Sequence, residues 1–305
     1  MHRLIAPTRI LRPRVFSSAR LHRHLHHDHG TSTVNAAEIA HFSRLSSLWW
    51  DEHGEFAMLH RMNPHRVDFV RAKLREVGLE EEGEGWAAAR GARVLSGLDV
   101  LDVGCGGGIL TESLTRLGAR TLAVDASESN VAIASLHAAA DPHLASSMAD
   151  GALEYRHTSS EVLAQEAKRF DVVCSMEVIE HVDNPAAFLR SCAELVKPGG
   201  HLILSTISRT PLAYLTTILF AEDLLRLVAP GTHTYAKFIN PSELVDFFHR
   251  EGWIARVEPT RREAEVRGMV YLPWKGDWAL VPRGFRSSVA ETNYLFWVRK
   301  PATSL

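Results

Sequence analysis

The stretch of sequence that decides the fold is Leu98-Asp-Val-Leu-Asp-Val-Gly-Cys-Gly-Gly-Gly-Ile-Leu110. Residues 98–103 are short and apolar enough to predict a buried strand, and a helix is expected from the glycines to Leu117. The glycines between them allow the backbone to approach a ligand closely. A strand joined in this way to a helix is typical of a parallel sheet that helices cover on both faces.

The alternation of strands and helices continues downstream of this stretch. Further strands are predicted at residues 121–125, 153–157, 170–175 and 201–205, with a turn at Lys197-Pro-Gly-Gly200 before the last of them. Upstream, Asn35-Ala-Ala-Glu38 predicts a helix N-terminus of the capping-box kind, and a second helix is expected to start after Asn63-Pro64. Residues 78–97 and 141–151 are interpreted as surface elaborations. The prediction is an α/β, doubly wound, Rossmann-like sheet, with N-terminal helices and a linker at 33–97 and the catalytic core at 98–300.

Charge is distributed unevenly along the chain. The formal net charge of −2 does not favour nucleic acid as a partner. Residues 1–27 contain no Asp or Glu but six arginines, with serines and apolar residues between them. This composition predicts a mitochondrial transit peptide at residues 1–30, with a disordered basic tail as the alternative.

An apolar segment lies at residues 211–229, where Glu222, Asp223 and Arg226 interrupt the run. Because a bilayer span needs about 20 apolar residues, these charges argue against a transmembrane helix. Two interpretations stay open: an amphipathic insertion helix at a membrane interface, or a lid helix packed on its own domain.

The glycine loop predicts a ligand site, because doubly wound sheets bind ligands at the carboxyl ends of their strands. The N–H groups of Gly104, Gly106 and Gly108 favour a negatively charged group. Asp125 ends the second strand, where an acidic side chain accepts hydrogen bonds from ribose hydroxyls. Met176, at the end of the fourth strand, is expected to pack on the adenine or the chain of a cofactor.

The detail of the loop separates two cofactor classes. A dinucleotide fingerprint requires a glycine where this chain has Ile109. The sequence Asp102-Val-Gly-Cys-Gly-Gly-Gly108 instead resembles motif I of the class I methyltransferases. Together with Asp125, Phe170-Asp171 and the Lys197-Pro-Gly-Gly200 turn, this resemblance implies S-adenosylmethionine (SAM) and disfavours a dehydrogenase.

A second group of chemically active residues follows the fourth strand, in Ser175-Met-Glu-Val-Ile-Glu-His181. If a helical turn begins there, Glu177, Glu180 and His181 share one face and suit a hard divalent cation such as Mg²⁺. A metal favours the deprotonated form of a catechol hydroxyl, whose pKa is otherwise about 10. Two alternatives stay open: the acids only order the loop, or His181 acts alone as a general base.

Three further stretches resemble the ubiquinone-biosynthesis O-methyltransferases. They are Trp49-Trp-Asp51 with the residues up to Arg66, the loop at 102–110, and Gly231-Thr-His233 with Lys237-Phe-Ile-Asn-Pro241. The resemblance implies methylation of polyprenyl-dihydroxybenzoate and of demethylubiquinol, with SAM held by Arg66, Gly104, Asp125 and Met176 and the metal held by Glu177, Glu180 and His181. Arg66 suits the carboxylate of the cofactor.

The same resemblance implies a location and partners. It indicates a peripheral protein on the matrix side of the mitochondrial inner membrane, in contact with it through residues 211–229, within a multi-subunit ubiquinone-biosynthesis complex. The motifs leave two other functions open, namely methylation of another small hydroxylated or lipidic acceptor, and a scaffold subunit that binds SAM without turnover.

Overall fold

The computed structural model describes residues 33–213, 235–256, 259–283 and 292–302. The predicted transit peptide and all but the first three residues of the apolar segment 211–229 lie outside this part of the chain.

One eight-stranded sheet organises the described chain, in the order β3-β2-β1-β4-β5-β8-β6-β7. The strands are β1 (Asp99–Val103), β2 (Arg120–Asp125), β3 (Leu153–His157), β4 (Phe170–Met176), β5 (Val196–Ile207), β6 (Ala264–Leu272), β7 (Asp277–Leu280) and β8 (Asn293–Arg299). Strands β1 to β5 pair in parallel, whereas β8, β6 and β7 pair antiparallel. The order reverses between β1 and β4, so the ends of these two strands form the crevice in which such sheets bind ligands. The predicted α/β fold is confirmed.

Helices cover both faces of the sheet. They are α1 (Ala36–Arg44), α2 (Ala57–Glu82), α3 (Glu84–Arg90), α4 (Ile109–Arg116), α5 (Glu128–Ala140), α6 (Pro142–Ala149), α7 (Ser160–Ala164), α8 (Pro185–Leu195), α9 (Pro211–Ala213) and α10 (Pro241–Arg250). Alternate residues of β1 point to opposite faces of the sheet. Leu101 and Val103 pack in the core beneath α8 and α10, whereas Val100 packs in the core beneath α2 and α4.

Four local predictions were wrong. Helix α2 begins at Ala57 and contains Pro64, which follows the first seven helical residues, about two turns, instead of starting the helix. The Lys197-Pro-Gly-Gly200 turn lies inside β5, where the pairing with β4 jumps from Val196 to His201 and leaves these residues as a bulge. The supposed elaborations at 78–97 and 141–151 contribute to the core, because Trp86 packs on Gly78 and the fully buried Leu144 lies on α6.

A buried cation fixes α2 against the antiparallel strands. Nζ of Lys73 lies 3.0 Å from Oε2 of Glu265 on β6 and 4.0 Å from the centre of the Trp297 ring on β8. It also donates to the carbonyl of Arg261 at 2.9 Å. A buried ammonium is tolerated only with such partners, so these contacts set where the C-terminal half of α2 meets the sheet.

Candidate active site

A single cavity of about 610 Å³ lies at the carboxyl ends of β1, β2 and β4, and α1 and α2 form its opposite wall. It is lined by seven of the eight predicted site residues: Arg66, Gly104, Gly106, Asp125, Met176, Glu177 and His181. The eighth, Glu180, is buried next to this lining. The structure therefore brings the predicted site residues together, while their roles stay predictions.

The glycine loop passes from β1 to α4 in a conformation that favours glycine. Gly104, Gly106 and Gly108 have φ angles of 73°, 54° and 90°, which side chains with a Cβ rarely adopt. Gly108 is also the N-cap of α4. The loop therefore presents bare backbone, followed by the N-terminus of a helix, to the cavity.

Asp125 ties this loop to the end of β2. Its Oδ2 accepts the N–H of Gly106 at 2.9 Å, and its Oδ1 accepts the N–H of Ser127 at 2.8 Å. Burial raises the pKa of Asp125, and the bonds from Ser127, Gly106 and Asn130 oppose this rise. These donors hold the carboxylate at the cavity wall, where it can accept from two adjacent hydroxyls of a ribose.

Two tryptophans pack against the loop. Nε1 of Trp50 donates to the carbonyl of Gly107 at 3.0 Å, and Nε1 of Trp49 donates to Oδ1 of Asn130 at 3.0 Å. The Trp49 ring stacks on Phe56 with centroids 3.8 Å apart. The sequence singled out Trp49 and Trp50 by resemblance only. The structure shows that they brace the backbone of the cofactor loop.

Arg66 projects from α2 and is only 5% exposed. Its Nε has no hydrogen-bond partner within the described chain, and its Nη2 lies 3.5 Å from the carbonyl of Leu59. Burial lowers the pKa of Arg66, whereas the charges of Glu177, Asp102 and Glu180 raise it. A buried guanidinium with an unused donor at a cavity wall suits a ligand carboxylate.

The two glutamates after β4 occupy different environments. Glu177 lines the cavity with a φ of 56°, and its Oε1 accepts from Oγ of Ser205 at 2.5 Å. Glu180 accepts from Oγ1 of Thr206 at 2.9 Å, while its Oε1 has no partner among the described residues. Burial and the neighbouring charge of Glu177 raise the pKa of Glu180 to about 8.

His181 faces a partner that the sequence did not reveal. Its Nδ1 lies 3.1 Å from Oε2 of Glu38 on α1, and Oε1 of Glu38 accepts from Nζ of Lys237 at 3.1 Å. Burial alone would raise the pKa of Glu38, but His181 and Lys237 outweigh it and lower this pKa to about 2. Asn35 caps α1 as predicted. The carboxylate of Glu38, which the capping-box pattern would place at the start of the helix, contacts His181 and Lys237.

The predicted convergence of three metal ligands is only partly present. In the described ranges, no group of three or more His, Cys, Asp and Glu side chains is placed to hold a metal ion. The residues from Ile179 to His181 form a single 3-10 turn, and His181 contacts Glu38. Two observations still fit a hard cation: the unpartnered buried Oε1 of Glu180 and the nearby charge of Glu177.

Comparisons with known proteins agree with this arrangement. Residues 60–255 match the family model described as a methyltransferase domain. The chain is 41% identical to the mitochondrial ubiquinone biosynthesis O-methyltransferase of Schizosaccharomyces pombe, over 97% of this chain and 94% of that protein. It is 39% identical to the ubiquinone biosynthesis O-methyltransferase of Cereibacter sphaeroides, over 83% and 93% of the two chains.

A solved structure shows the same fold at low identity. The magnesium protoporphyrin IX methyltransferase of Synechocystis is 20% identical, with a TM-score of 0.50, and the match covers 86% of this chain and 94% of that one. The relatives, the domain model and the cavity confirm the predicted activity class. The chain is a SAM-dependent O-methyltransferase and belongs to the family of ubiquinone biosynthesis O-methyltransferases.

Proposed function

We propose that this protein transfers the methyl group of SAM to a ring hydroxyl of polyprenylated catechol intermediates, at both O-methylation steps of ubiquinone synthesis. The acceptors would be polyprenyl-dihydroxybenzoate and demethylubiquinol. The observation that carries the proposal is the similarity to a relative named for ubiquinone biosynthesis along 97% of the chain. A cavity that joins a glycine loop to an imidazole and a glutamate supports it chemically.

The donor would be held at three points. Arg66 would pair with the carboxylate of the methionyl group, using the guanidinium that its protein neighbours leave unsatisfied. Asp125 would accept the ribose hydroxyls, and the backbone of Gly104 and Gly106 would lie against the amino-acid part. Met176, only 6% exposed at the end of β4, would pack on the adenine or the methionyl chain. This placement orients the sulfonium methyl towards the Glu177 and His181 side of the cavity.

The acceptor hydroxyl must lose its proton before or during attack. With Nδ1–H donating to Glu38, the basic nitrogen of His181 is Nε2. His181 would take the proton from the hydroxyl as the phenolic oxygen attacks the methyl carbon. The bond from carbon to oxygen forms while the bond from carbon to sulfur breaks, and S-adenosylhomocysteine leaves as a neutral thioether.

As the alternative to His181 as the base, we also propose a divalent cation, Mg²⁺, with Glu177, Glu180 and His181 as its protein ligands, because Nε2 cannot hold a cation and accept a proton at once. When bound, the cation would favour the deprotonated hydroxyl and orient both catechol oxygens. Because protonation of Glu180 competes with the cation, cation binding should strengthen as the pH rises. Titration calorimetry with Mg²⁺ and Mn²⁺ tests this directly, and Glu177→Gln with Glu180→Gln should abolish the binding heat.

The location and the partners are proposals as well. We place the protein in the mitochondrion, because relatives from Schizosaccharomyces pombe and Arabidopsis thaliana are named mitochondrial. None of the helices that the structure describes is both long and apolar enough to cross a membrane. Peripheral contact with the matrix side of the inner membrane through residues 211–229, within a multi-subunit complex, completes the proposal.

The decisive experiment is a methyl-transfer assay with the purified chain. The acceptors are a short-chain demethylubiquinol and a short-chain prenyl-dihydroxybenzoate, each with Mg²⁺ and with EDTA. We expect transfer to one hydroxyl of each acceptor, and loss of transfer in EDTA. SAM binding without transfer to either acceptor would favour the scaffold function. Transfer that EDTA does not affect would overturn the metal proposal but leave the methyltransferase intact.

A further inference from the structure

We infer that the cavity wall between α2 and the β6–β7 hairpin binds the isoprenoid tail of the acceptor, and that the tail leaves the protein beside Trp274. This inference rests on the proposed function, because it assigns a subsite to the acceptor of that reaction.

The wall is apolar on both sides. Three residues of α2 and three of the hairpin line this part of the cavity. We call them the tail wall: Met58, Leu59, Met62, Val270, Tyr271 and Trp278. Met62 and Trp278 pack together with the fully buried Met269. No member of the tail wall carries a formal charge, and the flexible methionines adapt to an unbranched or branched chain.

The position of the tail wall relative to the donor site is set by α2. Met62 precedes Arg66 by one helical turn, so both side chains lie on the same face of α2. The polar lining at the ends of β2 and β3, which includes Asp125, Ser127 and Thr158, suits the adenosine instead. The tail wall therefore begins next to the expected position of the methionyl end of the donor. Because the adenosine is expected at the other end of the cavity, the donor does not occupy the tail wall, and the acceptor can.

The tail wall leads to the hairpin turn between β6 and β7. Tyr271 and Pro273 both line the cavity, and the next residue, Trp274, is 78% exposed. Arg61 on α2 donates from Nη1 to the carbonyl of Gly276 at 3.2 Å, which holds the turn against the helix. Nε1 of Trp278 donates to the carbonyl of Met58 at 3.2 Å and fixes the hairpin a second time.

An exposed tryptophan at this position offers a contact surface to an apolar ligand. Trp274 is the most exposed large apolar side chain among the residues that the structure describes. An isoprenoid chain emerging past Pro273 would cover its ring and remove apolar surface of both groups from water. The occupant that fits is thus a chain of isoprene units attached to the acceptor ring.

The test compares acceptors with and without a tail. For the full chain and its variants, kcat/KM is measured with a catechol acid that lacks a tail and with the same ring bearing three isoprene units. Met58→Gln and Trp274→Ser should each lower the preference for the prenylated acceptor at least tenfold. Leu136→Ser is the matched control, because Leu136 is 68% exposed on α5 and does not line the cavity. It should keep the preference of the unaltered chain.

A binding measurement separates this inference from the proposed function. The prenylated catechol should quench tryptophan fluorescence in the presence of SAM, and Trp274→Phe should remove part of that quenching. Quenching without methyl transfer would refute the proposed reaction while upholding the tail site. Methyl transfer with an unchanged preference in both Met58→Gln and Trp274→Ser would overturn the tail site alone. Circular dichroism melting of each variant confirms that it is folded.

Discussion

Oε2 of Glu38 lies 3.1 Å from Nδ1 of His181, although 143 residues separate the two in sequence. This contact connects α1 to the turn after β4, and Lys237 joins the same carboxylate from the segment before α10. Helix α1 buries none of its residues completely. It is held over the cavity by polar contacts, among them Nδ2 of Asn35 to Oδ1 of Asp183 at 2.6 Å, and by the ring of Phe42, whose centroid lies 5.1 Å from that of His181. The Glu38 carboxylate therefore contributes both to the position of α1 over the cavity and to the orientation of His181.

Replacement of Glu38 should affect turnover more than donor binding. Glu38→Gln keeps an acceptor oxygen but loses the charge that favours Nδ1–H, so we expect kcat to fall about tenfold. Glu38→Ala should lower it further, because the imidazole loses its orientation. The measurements are kcat at saturating SAM and the Kd of SAM by calorimetry. Glu52→Gln, at an exposed position outside the cavity, is the control. A weakened Kd with unchanged kcat would assign Glu38 a purely structural role.

Replacement of Arg66, in contrast, should weaken the binding of the donor more than it lowers turnover. Its guanidinium is buried among Glu177, Asp102 and Glu180, with Nε unpaired in the described chain. Arg66→Met removes the partner proposed for the SAM carboxylate, and a charge-assisted hydrogen bond contributes about 1.5–3 kcal/mol. We therefore expect the Kd of SAM to rise about tenfold to a hundredfold. Adenosine, which lacks the carboxylate, is the control ligand, and equal weakening of both ligands would contradict this assignment.

How far the sequence predicts this fold depends on the range of the contacts. The parallel strands β1 to β5 are short apolar runs, each followed by a local turn or helix signal, so periodicity locates them. The antiparallel strands β6, β7 and β8 were not predicted. Strand β8 pairs with distant segments, as in His201 of β5 opposite Arg299 of β8, whereas β6 and β7 form a local hairpin whose turn at residues 273–276 was not recognised. Their stability comes from packing and from contacts such as the Lys73 to Glu265 ion pair, which leave no local pattern.

The site shows the same division between local and distant information. Gly104, Gly106 and Asp125 could be located because a strand-end loop and its acidic partner recur at fixed spacing. Glu38 could not be assigned to His181, since its spacing from Asn35 also fits a capping box. Trp274 and Trp278 are close in sequence, yet one is exposed and the other is 9% exposed. Only the hairpin geometry separates them.

A methyl group at Gly107 should disrupt the cofactor loop through Trp49. A Cβ built on Gly107 would lie 2.4 Å from Cβ of Trp49, closer than real contacts allow. Gly107→Ala must therefore displace Trp49 from Asn130, and we expect the Kd of SAM to rise at least tenfold. Gly85→Ala is the matched control, because a Cβ there meets nothing within 4 Å and the residue lies in α3. The control should bind SAM normally and gain up to about 1 kcal/mol of stability. Unchanged SAM binding by Gly107→Ala would refute the bracing role of Trp49.

Stability should depend on pH through His201, which lies far from the proposed chemistry. Its Nδ1 accepts from Nε1 of Trp297 at 3.2 Å, so the folded protein requires a neutral ring. Burial, together with the charge of Arg299, lowers the pKa of His201 to about 4, from 6.5 in the unfolded chain. Between these values the unfolded chain binds more protons, so the free energy of unfolding falls as the pH drops from 6.5 to 4.

The size of this effect follows from the shift in pKa. A displacement of this kind corresponds to at most about 3 kcal/mol, and partial exposure of the ring reduces it. His201→Gln removes the titration while other ionisable groups remain in both proteins. The unaltered protein should therefore lose more of its free energy of unfolding than the variant does as the pH falls. Urea denaturation at pH 7, 6, 5 and 4.5 measures this free energy for both proteins. Parallel pH profiles for the two proteins would show that His201 does not carry the dependence.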